Sequence, residues 1–254
     1  YGSYARRLIK ENKGLSLAGF SNIAFNQIEI FIRKKKRIVE SKFYAIKEIK
    51  NLSKEIIPTI QNDLKNITQK RKNISGLKFD KPLLMGALNI TPDSFSDGGL
   101  FFEEAKAYDQ AKLMINSGAA IIDIGGESTR PGSKTVEKNV EWKRVKNTII
   151  KLKKDFPKIP LSLDTRKSYV MSNGIENGVD IINDVSGLNF DKKSFDVVKS
   201  KQIPFILHHM QGMPNTMQQN PTYDDVLLDI FDFFESKINF FVKKGYKKKL
   251  IILD

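Results

Sequence analysis

From Leu83 onward, short apolar runs alternate with longer amphipathic ones, and this alternation limits the fold more than any other feature of the chain. The strand candidates are Leu83–Asn89, Ala120–Ile124, Pro160–Asp164, Val179–Asn183, Pro204–His208 and Leu250–Asp254. Between them lie helical patterns. Trp142, Val145, Ile149 and Leu152 share one face of Val136–Phe156, and Val226, Ile230, Phe234, Ile238 and Phe241 share one face of Tyr223–Lys244. Gly118, Gly178 and Gly245 stand where helix C-caps are expected. Strand–helix alternation implies a parallel sheet with crossover helices. The strands are short and apolar, so burial on both faces is expected. Six strand–helix beginnings are present. An eight-fold strand–helix barrel takes about 250 residues, whereas 172 run from Leu83 to Asp254. A barrel interrupted after about its sixth strand is therefore expected, in a natural protein that continues past Asp254. Residue 1 is Tyr rather than Met, so the natural start is also expected to lie earlier.

Each strand candidate ends on a polar group. Asn89 opens into "ITPDSFSDGG", Asp123–Ile124 into "GGESTRPGS", Asp164 into "TRKS", Asn183–Asp184 into "VSG", and His208–His209 into "MQGMPNTMQ", while Asp254 closes the last. A single strand-end Asp often caps the next helix, and that is the plain reading of Asp164 alone. Six polar ends in register point instead to a shared rim, where barrels keep their active sites. The residue types restrict the chemistry. Asp164 and Asp254 offer acceptors, and the Asn183 amide both donates and accepts. Facing inward, they suit a flat heterocycle with ring N–H and exocyclic NH2 donors. Asn89 offers an oxygen to Mg²⁺. Arg130, bounded by Gly and Pro, suits an anionic group. Adjacent strand residues face opposite ways, so His208 and His209 are not expected to share a metal. A structural or substrate-packing role fits them better. No Ser-His-Asp order, phosphate loop or "HExxH" motif occurs, and with no Cys there is neither a disulfide nor thiol catalysis.

The net charge of +14 would suit a nucleic-acid partner, but its distribution argues against one. Residues 1–75 hold 17 Lys and Arg against 6 Asp and Glu, while the remaining 179 hold 26 against 23. The basic character belongs to an N-terminal extension, residues 1–75, separate from the body at 76–254. In that extension, Phe25–Ile32 and Ile38–Ile46 read as two strands of a β-hairpin around the charged turn Arg33–Arg37. A solvated turn outweighs a lipid or RNA site there. Asn51–Asn73, interrupted by Pro58, reads as loosely helical at best and partly mobile. No apolar run approaches the roughly 18 residues of a membrane helix, and no secretory h-region opens the chain. A cytoplasmic protein without membrane or nucleic-acid partners is expected.

The segments "LMGALNITPDSFSDGG", "GAAIIDIGGESTRPGS", "SLDTRKS", "IINDVSGL" and "HMQGMPNTMQ" closely resemble the bacterial dihydropteroate synthases. The likeness runs from Pro82 to Asp254 and includes two long loop motifs. It implies a TIM (β/α)8 barrel that joins 7,8-dihydropterin-6-methyl diphosphate to 4-aminobenzoate, forms dihydropteroate and pyrophosphate for folate synthesis, and is the target of sulfonamides. By motif, it assigns Asp164, Asn183 and Asp254 to the pterin ring, with Met210 packing nearby. Asn89 would bind Mg²⁺ with the diphosphate. Phe95 and Asp97 on the first loop, with Thr129, Arg130 and Pro131 on the second, would close over the site. Asp97, Thr129 and Arg130 would serve catalysis, and Phe95 and Pro131 the aminobenzoate pocket. The resemblance also implies a homodimer when full length. His208 departs from it, standing where the family often has an apolar residue. A corrinoid-linked methyltransferase barrel is the alternative. It would share the "Asp…Asn-Asp" groups but is not expected to carry both "TPDSFSDGG" and "ESTRPGS".

Overall fold

A computed structural model of the chain describes residues 1–35, 38–91, 100–128, 135–212 and 220–254. The chain divides into two compact units. One comprises Tyr1–Lys72 with Lys78–Pro82, and the other Asn73–Leu77 with Leu83–Asp254. Among the described residues, no helix is long and apolar enough to cross a membrane.

In the first unit, helix α1 (Gly2–Lys10) precedes a short antiparallel pair, β1 (Leu15–Ser16) and β2 (Ala24–Phe25). β3 (Gln27–Lys35) and β4 (Ile38–Ala45) then pair antiparallel, with Gln27 opposite Ala45 and a register shift between Arg33 and Lys35. The charged run expected as a turn is thus partly strand, since β3 continues to Lys35. The stretch 51–73 also departs from expectation. It holds a regular twelve-residue helix, α2 (Ile57–Thr68). Pro58 does not interrupt this helix because it lies in the first turn, where a backbone N–H has no helical partner to lose.

The second unit is an α/β fold. Its strands are β5 (Leu84–Asn89), β6 (Ala119–Gly125), β7 (Leu161–Asp164), β8 (Ile181–Asp184), β9 (Phe205–Leu207) and β10 (Ile251–Leu253). They form one parallel sheet in the order β10-β9-β8-β7-β6-β5. The connections carry α3 (Leu100–Asn116), α4 (Lys138–Asp155), α5 (Ser168–Glu176), α6 (Ser194–Lys201) and α7 (Val226–Lys243). Gly118, Gly178 and Gly245 follow α3, α5 and α7 with φ of 100°, 96° and 88°, the left-handed turn that ends a helix.

Burial on both faces holds for most of β6 to β9 and fails on the outer strands β5 and β10. Leu88, Ile122, Ile124, Leu161, Leu163, Ile182, Phe205 and Leu207 are almost fully buried and pack with Trp142, Val145 and Ile149 of α4, Val170 and Met171 of α5, and Phe241 of α7. Alternation then sends Asn89, Asp123, Ser162, Asp164 and Asn183 to the opposite face. The sheet is apolar towards its helices and mixed on the other side, where Ile121, Ile181 and Ile206 share the face with these polar groups. β5 is an edge strand, which explains why Leu84 and Met85 are 65% and 44% exposed.

Gly174 sets a tight limit on this packing. It sits inside α5, and a Cβ there would come within 2.3 Å of Leu163 Cδ2. Alanine is the better helix former by roughly 0.5–1 kcal/mol, but pushing a fully buried Leu out of its rotamer costs about 1–3 kcal/mol. Gly174→Ala is therefore expected to destabilise the fold. A denaturant midpoint equal to or above the parent's would contradict this.

Candidate functional site

The pairing register lines up the strand ends. Asn89 lies opposite Gly125, Gly125 opposite Asp164, Asp164 opposite Asn183, and Asn183 opposite Ile206. Paired residues in a parallel sheet face the same way, so Asn89, Asp164 and Asn183 share the polar face. The two glycines after β6 have separate reasons. A Cβ at Gly125 would lie 3.3 Å from Asn89 Oδ1 and 3.5 Å from Asp164 Oδ2, so the bare backbone there leaves both oxygens facing a common space. A Cβ at Gly126 would lie 2.9 Å from the Glu141 carbonyl oxygen and 3.0 Å from Val145 Cγ1, so glycine lets the loop close on α4.

A continuous polar chain crosses this face. The Asn183 amide donates to Asp123 Oδ2 at 2.9 Å, and Asn183 Oδ1 lies 2.6 Å from His208 Nε2. On its other side, His208 Nδ1 lies 3.4 Å from Asp254 Oδ2. His209 turns the other way, edge-on to the Phe233 ring at 4.9 Å, and its N–H donates to the Asp254 carbonyl. The two histidines thus face opposite sides, and His208 belongs to the site. A cavity of about 340 Å³ opens beside it, lined by Arg166, Ser186, Phe190, His208, Met210 and Phe233. The Arg166 guanidinium lies 4.2 Å over the Phe190 ring, so one wall is both flat and cationic.

The carboxyls here are poorly solvated and face one another. Burial raises Asp164 well above the usual carboxylate range, and Asp123, Asp184, Glu141 and Glu127 add to the rise. Burial also raises Asp123, against the opposing pull of Ser162, Asn183 and His208. Such a face favours ligands that bring N–H donors or a positive charge. Asp184 plays another part. It faces away from Asn183 and accepts from Ser186 N–H and Oγ at 2.8 and 2.7 Å and from Leu188 N–H at 3.2 Å. Burial pushes it up to about 6 despite those bonds. It is a loop cap, the bland role open to any strand-end Asp.

Beneath the rim lies a buried ion cluster that motif reading passes over. Glu127 pairs with Arg166 and, at 2.6 Å, with Lys167; Lys167 also pairs with Glu141, which accepts from Thr165. All five residues are below 9% exposed. Glu127 further accepts from Val136 N–H at 2.7 Å, tying together the two sides of the chain that flank residues 129–134. Burial raises Glu127, but its bonds from Arg166, Lys167 and Val136 outweigh this and hold it below the usual range. In Glu141 burial prevails and the group is raised. The available signal was that "GGEST" and "DTRKS" carry opposite charges at successive strand ends.

Of the expected site residues, the sheet brings Asn89, Asp164, Asn183, Met210 and Asp254 to one end. Phe95, Asp97, Thr129, Arg130 and Pro131 lie outside the described residues. Among the described residues, no group of three or more His, Asp or Glu is placed to hold a metal. Asp123 and His208 join the site as additions. A carboxylate set mid-strand between isoleucines was the readable sign of Asp123.

Residues 85–254 match the family model described as pterin binding enzyme. A dihydropteroate synthase from Synechocystis is 41% identical over 171 residues, covering 67% of this chain and 59% of that protein. The one from Escherichia coli K12 is 39% identical over 180 residues, covering 71% and 63%. Among solved structures, the Yersinia pestis dihydropteroate synthase in a sulfonamide drug complex superposes with a TM-score of 0.65 at 40% identity, covering 70% of this chain and 64% of that one. The Xanthomonas albilineans enzyme with 4-aminobenzoic acid gives 0.64 at 36%, covering 70% and 62%. The chain spans about three-fifths of the length of the curated relatives it matches.

Proposed function

The chain belongs to the pterin binding enzyme family, and on that footing we propose that it is a dihydropteroate synthase. It would condense 7,8-dihydropterin-6-methyl diphosphate with 4-aminobenzoate and release pyrophosphate in folate synthesis. The single observation that carries this reading is the inward-facing row of Asn89, Asp164 and Asn183 on adjacent paired strands, with His208 and Asp254 beside it. The relatives reported above are named for this activity, which favours it over a corrinoid-linked methyltransferase.

In this reading Asp164 and Asp254 accept from the amino and ring N–H groups of the pterin, and Asn183 uses its remaining donor and acceptor on the same edge. Met210 and the Arg166–Phe190 wall cover the ring. Asn89 Oδ1 borders the bare backbone of Gly125 and is an oxygen of the kind a hard cation prefers. Asn89 would hold Mg²⁺ there with the diphosphate, and the ion supplies charge neutralisation to the departing pyrophosphate. The bond from the pterin methylene to the diphosphate oxygen breaks first and leaves a delocalised pterin cation. The aniline nitrogen then attacks the methylene and loses a proton. No protein nucleophile is required. The acidic face built by Asp123 and Asp164 stabilises the cation through its field. Asp97, Thr129 and Arg130 would act as the site closes and Phe95 and Pro131 would border the aminobenzoate, where sulfonamides compete. The fold would be of the TIM (β/α)8 barrel type over residues 76–254, dimeric and cytoplasmic, with residues 1–75 a basic extension.

The test is direct. The full-length protein, given the pterin diphosphate, 4-aminobenzoate and Mg²⁺, is expected to release pyrophosphate in step with dihydropteroate. No pyrophosphate release with both substrates present, or release unaffected by Asp164→Ala, would sink the reading.

A further inference from the structure

We propose that His208 is a positioning residue of the pterin site, holding the Asn183 amide in one orientation and controlling whether Asp254 is free to accept from the ring. This rests on the synthase reading of the site. The geometry sets the roles. Asn183 Nδ2 donates to Asp123 at 2.9 Å, which leaves Oδ1 facing His208 Nε2 at 2.6 Å. An amide oxygen only accepts, so Nε2 must carry the proton. In the neutral ring Nδ1 is then a bare acceptor, and it points at Asp254 Oδ2 from 3.4 Å. Two acceptors cannot bond each other. Asp254, with its side chain 68% exposed, is therefore not engaged by the neutral imidazole, and the N–H edge of a pterin can donate to it. Once the ring takes up a second proton, Nδ1–H donates to Asp254 and competes with the ligand for it.

The groups that face His208 are Asn183 on β8, Asp254 after β10, Asp123 on β6 and, across the cavity, Arg166 after β7. Burial lowers the His208 pKa, while Asp254 and Asp123 pull it back up. The neutral ring is thus the resting form at neutral pH, and competition for Asp254 sets in on the acid side. An apolar side chain at 208 would provide neither the Asn183 bond nor this pH dependence.

The experiment is calorimetric titration of the full-length protein with 6-hydroxymethylpterin from pH 5 to pH 8, using wild type, His208→Met, His208→Gln and Asp164→Asn. Losing the bond to Asn183 is expected to weaken binding by His208→Met about five- to tenfold at pH 7.5. His208→Gln, which can still donate to Asn183 Oδ1, is expected to recover most of that affinity. Wild type is expected to lose affinity towards pH 5. Protonation of Asp164 and Asp123 contributes to that loss, and both His208 variants are expected to lose the part due to the imidazole. Wild-type affinity and an unchanged pH profile in His208→Met, alongside weakened binding in Asp164→Asn, would overturn the role of His208 alone. No binding by wild type, or undiminished binding by Asp164→Asn, would overturn the synthase reading itself.

Discussion

Asp164→Asn is expected to lower kcat/KM for the pterin diphosphate by at least about a hundredfold, because a poorly solvated carboxyl acceptor is replaced by an amide that turns a donor towards the ligand's donors. The same substitution is expected to make the folded protein more stable. Burial and four neighbouring carboxyls raise the Asp164 pKa in the folded state, so the native form holds that proton more tightly than the unfolded chain does. Wild-type stability is therefore highest, as far as this group is concerned, below the ordinary carboxylate range. It falls as pH rises through the raised native value, and the full penalty remains above that. The neutral amide escapes the penalty. At pH 8 a gain on the order of 0.5–2 kcal/mol is expected, the usual size when a destabilising active-site group is removed. The gain should shrink towards pH 4. Denaturant melts at the two pH values, combined with a turnover assay, check both halves. A variant that is inactive and also less stable at pH 8 would mean that Asp164 serves the fold and not the ligand.

Lys167→Met is expected to have the largest effect on folding. It leaves the Glu141 carboxylate buried with only the Thr165 hydroxyl, and it leaves Glu127 with Arg166 and the Val136 N–H. Removing one partner from a buried ion cluster costs about 3–5 kcal/mol, a fall in Tm of roughly 10 °C for a domain of this size. The double variant Lys167→Met with Glu141→Leu is expected to recover much of the loss, since it removes the stranded charge as well as its partner. The pH dependence should shift too. Glu127 is held below the usual carboxylate range by Arg166, Lys167 and Val136 against the opposing effect of burial. It therefore contributes stability above that range and loses it as pH falls through its lowered native value. A Lys167→Met protein that unfolds like the parent across this window would show that the cluster does not hold the rim in place.

Asp164 and Lys167 also differ in how readable they are. Asp164 ends an apolar run and begins a loop, and that placement alone suggests a rim. Lys167 lies in the same "DTRKS" segment and looks like a solvated lysine until α4 is packed beside it, bringing Glu141 within bonding distance. His208 is a similar case. The adjacent histidines were expected to face opposite ways, but the choice between them depended on which residues of β8 lie beside β9. Asp123 reads as a strand end in the sequence. The register places it one layer deeper, bonded to an amide 60 positions away. Pro58 is tolerated for a local reason, because its cost depends on its position within the helix and not on its presence.

Periodicity and turn chemistry are local properties of the chain. The strand–helix alternation, the glycine helix ends, and Asn89, Asp164, Asn183 and Asp254 at their strand ends therefore followed from sequence alone, and the loop motifs carried the family likeness. Register, edge exposure and charge pairing arise only when distant segments meet. The bare space above Gly125, the inward turn of His208, the exposure of β5 and the Glu127–Lys167–Glu141 cluster were decided by the tertiary structure. The physical reason is distance. A hydrogen bond or ion pair acts over about 3–4 Å, and only the packed sheet brings residues tens of positions apart within that range.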